Sequence, residues 1–138
     1  FSFDIFKCDF FPKELLGFAV NNPEALSRAM ERDDTVSWCV NMINDKAIMV
    51  KALGEKYPEF GVLGTTSAAA FVDSVVSSNV KFFIDENPKR IGLKFHGKNV
   101  LAPSMLSQND IVVIPYGDSG SKIKERFSQK YKGQFICL

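Results

Sequence analysis

Histidine occurs once in this chain, at His96, and cysteine three times, at Cys8, Cys39 and Cys137. One imidazole excludes a histidine-rich metal cluster. An odd number of widely separated cysteines without a Cys-x-x-Cys fits neither a disulfide framework nor a zinc site, and suits a reducing, cytoplasmic compartment. Charge of one sign is also lacking. Seventeen Lys and Arg stand against sixteen Asp and Glu, for a net charge of +1. A domain that neutralises a phosphate backbone usually carries a basic excess, so nucleic acid is not the expected partner. No apolar run approaches the ~20 residues that a membrane span needs, and no signal peptide is visible. Gly (9) and Pro (6) are too sparse for a collagen-like or low-complexity chain.

What is present is a globular profile, 46% hydrophobic and 24% charged over 138 residues. That length suits one domain with a core that needs no staples. A start at Phe1, without an initiator Met, leads to the expectation that the chain is part of a longer protein. Phenylalanine is concentrated at the beginning: Phe1, Phe3, Phe6, Phe10, Phe11 and Phe18 are six of the thirteen. This aromatic arm either folds onto the domain's own sheet or forms an interface with a second domain or a second copy.

Helix signals dominate residues 1–58. Asn22-Pro23-Glu24 supplies an N-cap, a first-position proline and a first-turn acid for a helix to about Arg32. Asp33-Asp34 opens a longer helix to about Lys56, whose stripe Val36, Cys39, Val40, Ile43, Ala47, Val50 and Leu53 has helical spacing.

From residue 59 to 138 apolar strands alternate with helices. Residues 60–64 read as a strand, 68–78 as a helix and 80–85 as a strand. The stretch 90–98 reads as loop and 99–101 as a short strand, with one helical turn at 103–106. Ile111–Ile114 is the most strand-like run; a helix capped by Asp118 or Ser119 runs to about Lys130, and 134–138 closes as a strand. Continuous apolar strands alternating with helices predict a parallel sheet covered on both faces, a Rossmann-like α/β core of about five strands. The expected organisation is residues 1–58 as arm and helices packed on the sheet, and 59–138 as the nucleotide-binding core.

Such sheets bind ligands beyond the carboxyl ends of their strands, where the strand order reverses. Gly64-Thr65-Thr66-Ser67 lies between strand and helix, where helix-terminal amides favour an anion. Against the dinucleotide fingerprint Gly-x-Gly-x-x-Gly/Ala, Gly64, Thr66 and Ala69 take the three key places. Thr66 replaces the central glycine, whose missing Cβ lets a pyrophosphate approach. This weakens an NAD site and leaves a less intimately bound phosphate or nucleotide; the hydroxyls equally serve as helix caps. Asp85, 21 residues beyond Gly64, has the spacing of a ribose-binding acid, although Asp85-Glu86-Asn87-Pro88 is also a good turn sequence. Tyr116 and Gly117, in the loop after Ile114, offer a ring to stack on a base and room for it, or else simply a helix-capping loop. His96, between Lys94 and Lys98, reads as a solvated surface residue. Glu86 should face away from Asp85. No nucleophile is paired with a base and no metal ligands cluster, so no catalytic residue is assigned and a binding module fits better than a complete enzyme.

The run Phe82-Phe83-Ile84-Asp85-Glu86-Asn87-Pro88, then Gly92, Gly97 and Val100-Leu101-Ala102-Pro103, resembles a signature of bacterial sugar-modifying proteins. It is similar to the C-terminal domain of SAM-dependent sugar C-methyltransferases, where Asp-x-Asn-Pro is followed by two spaced glycines and a short strand. It is also similar to the N-terminal domain of bacterial sugar O- or N-acyltransferases. The resemblance covers about residues 40–130. It implies a Rossmann-like accessory domain that binds a nucleotide-linked sugar and packs against a catalytic domain. The acyltransferase glycine–histidine loop is absent, with Thr65, Thr66 and Ser67 in its place, and the long helix before the first strand favours the methyltransferase tail. In that family SAM and the zinc-binding cysteines belong to another domain, so no cofactor is expected within this chain. The site implied comprises Gly64, Thr65, Thr66, Ser67, Asp85, Asn87, Tyr116 and Gly117. An NAD(P)-dependent oxidoreductase domain and a ligand-free structural or oligomerising module are the alternatives.

Overall fold

The structure, a computed structural model, describes residues 33–138. The aromatic arm and the helix start at Asn22-Pro23-Glu24 lie outside the described residues. Helix α1 (Asp33–Lys56) leads into strand β1 (Phe60–Leu63), helix α2 (Ser67–Val76) and strand β2 (Val80–Ile84). Strands β3 (Lys94–Phe95) and β4 (Lys98–Leu101) follow, then a 3-10 turn at Pro103–Met105 and strand β5 (Ile111–Ile114). A second 3-10 turn at Gly117–Ser119 opens helix α3 (Gly120–Lys130), and β6 (Gln134–Cys137) closes the sheet.

The six strands lie in the order β3-β4-β2-β1-β5-β6 and are parallel except for β3, which pairs antiparallel with β4. The α/β class and the largely parallel sheet are as expected, with one strand more. The additional strand β3 falls in the stretch expected to be loop. Lys94 pairs with Asn99 and Phe95 with Lys98, leaving His96-Gly97 as a two-residue turn with φ of 50° and 78°. A two-residue hairpin favours positive φ at both positions because that backbone matches strand twist. Asn-Gly announces such a turn; His-Gly does so weakly.

Period-2 alternation divides the strand side chains between two cores. Phe60, Val62, Phe83, Val100 and Val113 pack with Val50 of α1 and with Ala69 and Val72 of α2. Leu63, Ile84, Val112 and Ile114 pack on the other face with Phe127 of α3, Leu106 and Phe135. The central strand has a glycine where its neighbour needs room: a Cβ on Gly61 would lie 2.1 Å from the Phe82 ring. Asn79 joins the layers, its side-chain amide donating to the carbonyls of Gly54, Tyr57 and Pro58.

Helix α1 does not bury its whole stripe. Val50 is buried and Leu53 partly so, whereas Val40 and Ile43 are exposed. The Val36 and Cys39 side chains lie outside what is described. A 24-residue helix is about 36 Å long, whereas a four-residue strand spans about 13 Å. The sheet therefore covers only part of α1.

Candidate functional site

The strand order reverses beside β1. Helix α2 carries the chain from β1 to β2 on one side, and β5 lies against β1 on the other. The carboxyl ends of β1, β2 and β5 thus lie side by side at this reversal, the place at which open α/β sheets bind ligands.

Gly64 leaves β1 at φ 85°, a conformation costly for residues with a Cβ, and its amide donates to the Ile84 carbonyl at 2.6 Å. This turn delivers Thr65 toward β2 and Thr66 to the N-cap of α2, where its hydroxyl accepts from the Ala69 amide at 3.4 Å. Ser67 opens α2 and is exposed.

Asp85 begins where β2 stops. Its Oδ1 accepts from the Asn87 amide at 2.9 Å, an Asx turn that ends the strand, and its Oδ2 accepts from the Thr65 hydroxyl at 2.8 Å. The Arg90 guanidinium donates to Thr65 Oγ1 at 2.6 Å and to Asp85 Oδ2 at 3.3 Å. Burial disfavours the Asp85 charge, but the Asn87 amide, the Thr65 hydroxyl and Arg90 outweigh it and hold the carboxyl below its ordinary value. Arg90 keeps about half of its side-chain surface exposed.

Tyr116 enters from the opposite side, after β5. A Cβ on Gly64 would lie 1.9 Å from its hydroxyl, so this glycine is what admits the ring. Burial pushes the phenol above its usual range, and polar contact with the Thr66 side chain works in the other direction. Gly117 starts the 3-10 turn at φ 50°. Ser119 takes the N-cap position of α3 without a side-chain capping bond.

Of the expected residues, Gly64, Thr65, Thr66, Asp85 and Tyr116 therefore converge, while Asn87 shapes the turn through its backbone and its own side chain, which accepts from the Lys89 amide at 3.0 Å. Sequence reasoning missed Arg90. In the turn after Asn87 the Arg90 amide donates to the Asn87 carbonyl and so returns the side chain to Asp85, a fold-back that no sequence signal announces.

A second polar cluster lies between α2 and the β3–β4 hairpin. Buried Asp73 bonds His96 Nδ1 at 3.1 Å and Lys98 Nζ, and Lys98 also donates to the Ser77 hydroxyl at 2.8 Å. His96 stacks on Phe95, with ring centroids 4.5 Å apart. His96 is exposed, as expected of a surface residue, and Asp73 anchors it there. Glu86 does point away from Asp85, toward α3, where Arg126 donates to it at 2.6 Å.

Among the described residues, no group of three or more His, Cys, Asp or Glu side chains is placed to hold a metal ion, and no helix is long and apolar enough to cross a membrane. Comparison with protein-family models, with curated protein sequences and with solved structures gives no match to this chain.

Proposed function

We propose that this chain is a nucleotide-sugar-binding accessory domain of a cytoplasmic bacterial sugar-modifying transferase, with the SAM-dependent C-methyltransferases the best-fitting parent class. Catalysis and SAM then belong to another domain, which the aromatic arm would contact. One observation carries the reading: Thr65, from the turn after β1, meets Asp85 and Arg90, from the loop after β2, within hydrogen-bonding distance beside the reversal of strand order.

The chemistry suits a phosphorylated ribose. An ionised carboxylate accepts from a ribose diol, and an exposed guanidinium donates to a phosphate in forked geometry. The first turn of α2 adds helix-terminal amides, worth about 0.3–1 kcal/mol to an anion. The oxidoreductase reading fits less well, because Thr66 and Tyr116 occupy the approach a dinucleotide pyrophosphate needs. The ligand-free reading has one observation in its favour: both Asp85 oxygens are already engaged by protein donors.

Thermal unfolding with and without UDP-glucose or uridine monophosphate separates these readings, since a ligand that binds only the folded state must raise Tm. The proposal expects a rise at millimolar ligand that is lost in Asp85→Asn and Arg90→Ala. No rise with any nucleotide or nucleotide sugar would leave the ligand-free module.

A further inference from the structure

The two edges of the sheet are built differently. Strand β3 at one edge is two residues long, carries Lys94 and turns straight back at His96-Gly97. Short, lysine-bearing edges resist pairing with another chain. Strand β6 at the other edge, Gln134-Phe135-Ile136-Cys137, has no charge and no proline, and its register with β5 runs without a bulge. Among the described residues β6 pairs with β5 alone. The Gln134 amide donates to the Asp110 carbonyl and the Leu138 amide to the Ile114 carbonyl. Successive residues of a strand turn their backbone groups to opposite sides, so Phe135 and Cys137 aim N–H and C=O away from the sheet. Helix α3 holds that edge in place: Phe135 packs edge-on against Phe127, and Cys137 lies beside Gly120.

We propose that β6 pairs antiparallel with β6 of a second copy of this chain, joining the two sheets across a two-fold axis at Ile136. The strand is its own complement in that register. Phe135 stands opposite the partner's Cys137, and the two exchange both N–H···O bonds, a pattern the two-fold repeats. Ile136, half-buried, meets the partner's Ile136 as an apolar pair. A shift of one residue would set outward groups against inward ones. Charge points to the same occupant: a two-fold brings a strand's charges near their own copies, and β6 has none, whereas β3 would crowd Lys94 against its copy. Because the joined strands are antiparallel, the carboxyl ends of the two sheets face opposite ways, and each protomer keeps its own reversal of strand order.

Sedimentation equilibrium of the full chain from micromolar to millimolar concentration tests this, with a dimer expected. Cys137→Pro removes an outward amide that β5 does not use, and should weaken dimerisation by about tenfold or more. Ile136→Lys sets like charges opposite each other at the two-fold and should do the same. Circular dichroism checks that each variant is folded. An independent readout is Ile136→Cys in a chain whose Cys8, Cys39 and Cys137 are serine. Directly opposed residues of this kind have Cα atoms about 4.5 Å apart, within disulfide range. Oxidation should give a covalent dimer, while Lys94→Cys in the same background stays monomeric. A wild type that is monomeric at millimolar concentration would overturn the proposal. So would a dimer undiminished in folded Cys137→Pro or Ile136→Lys, or Ile136→Cys cross-linking no faster than Lys94→Cys.

Discussion

Gly64 has two demands on it at once, a left-handed backbone and the Tyr116 hydroxyl where its Cβ would be. Gly64→Ala should therefore cost about 1–3 kcal/mol in urea denaturation, from backbone strain and displacement of a packed ring. An unchanged midpoint would mean that Tyr116 moves aside freely. Asp85 makes a separate statement about acid. Its folded pKa lies below the ordinary 3.8, so the folded state binds the proton less readily than the unfolded chain does. The resulting stabilisation is fully present above the unfolded value and disappears as pH falls through the folded one. The stability gap between wild type and Asp85→Asn should accordingly be constant from neutral pH to about 5 and narrow below about 4. Denaturant melts across that range check it, and a gap that widens in acid would contradict it. Gly64 and Asp85 were legible in the sequence because turn chemistry is local: a glycine ending an apolar run and an Asp-x-Asn-Pro announce themselves. Arg90 was not, because its role depends on how the Asn87 turn folds the chain back, which spacing alone does not report.

Between elements, the Asp73 cluster explains how a hairpin with a two-residue strand holds its place at the sheet edge. Such a ladder supplies few backbone bonds, and Asp73 adds bonds to His96 and Lys98, the residues bracketing Gly97. Asp73→Ala leaves Lys98, which is only one-fifth exposed, without its carboxylate and should cost about 1–3 kcal/mol. Amide exchange at residues 94–98 should quicken more than in β1 or β5, and uniform exchange across the sheet would show that the cluster does not anchor the hairpin. Neither β3 nor this cluster could be read from the sequence. A two-residue strand has no periodicity, and Asp73 stands 23 and 25 residues from its partners. The long helix was legible as a helix from its apolar spacing, but how much of it the sheet covers depends on strand length, so the exposure of Val40 and Ile43 was not.

For the molecule as a whole, the parallel core was the most legible feature. Runs such as Ile111–Ile114 are apolar at every position because both sheet faces are covered, one by α1 and α2 and the other by α3. That architecture hosts many functions, so the fold does not choose the ligand. The choice rests on whether Thr65, Asp85 and Arg90 form a receptor for a phosphorylated ribose or merely satisfy one another. Backbone amide NMR of the chain titrated with AMP and, separately, with ribose 5-phosphate addresses that question directly. Saturable shifts are expected to concentrate at Thr65–Ala69, Asp85–Asn87 and Arg90 and to be lost in Arg90→Ala while the rest of the spectrum is retained. Spectra that stay unchanged at millimolar ligand, or shifts that gather on another face of the sheet, would contradict that expectation.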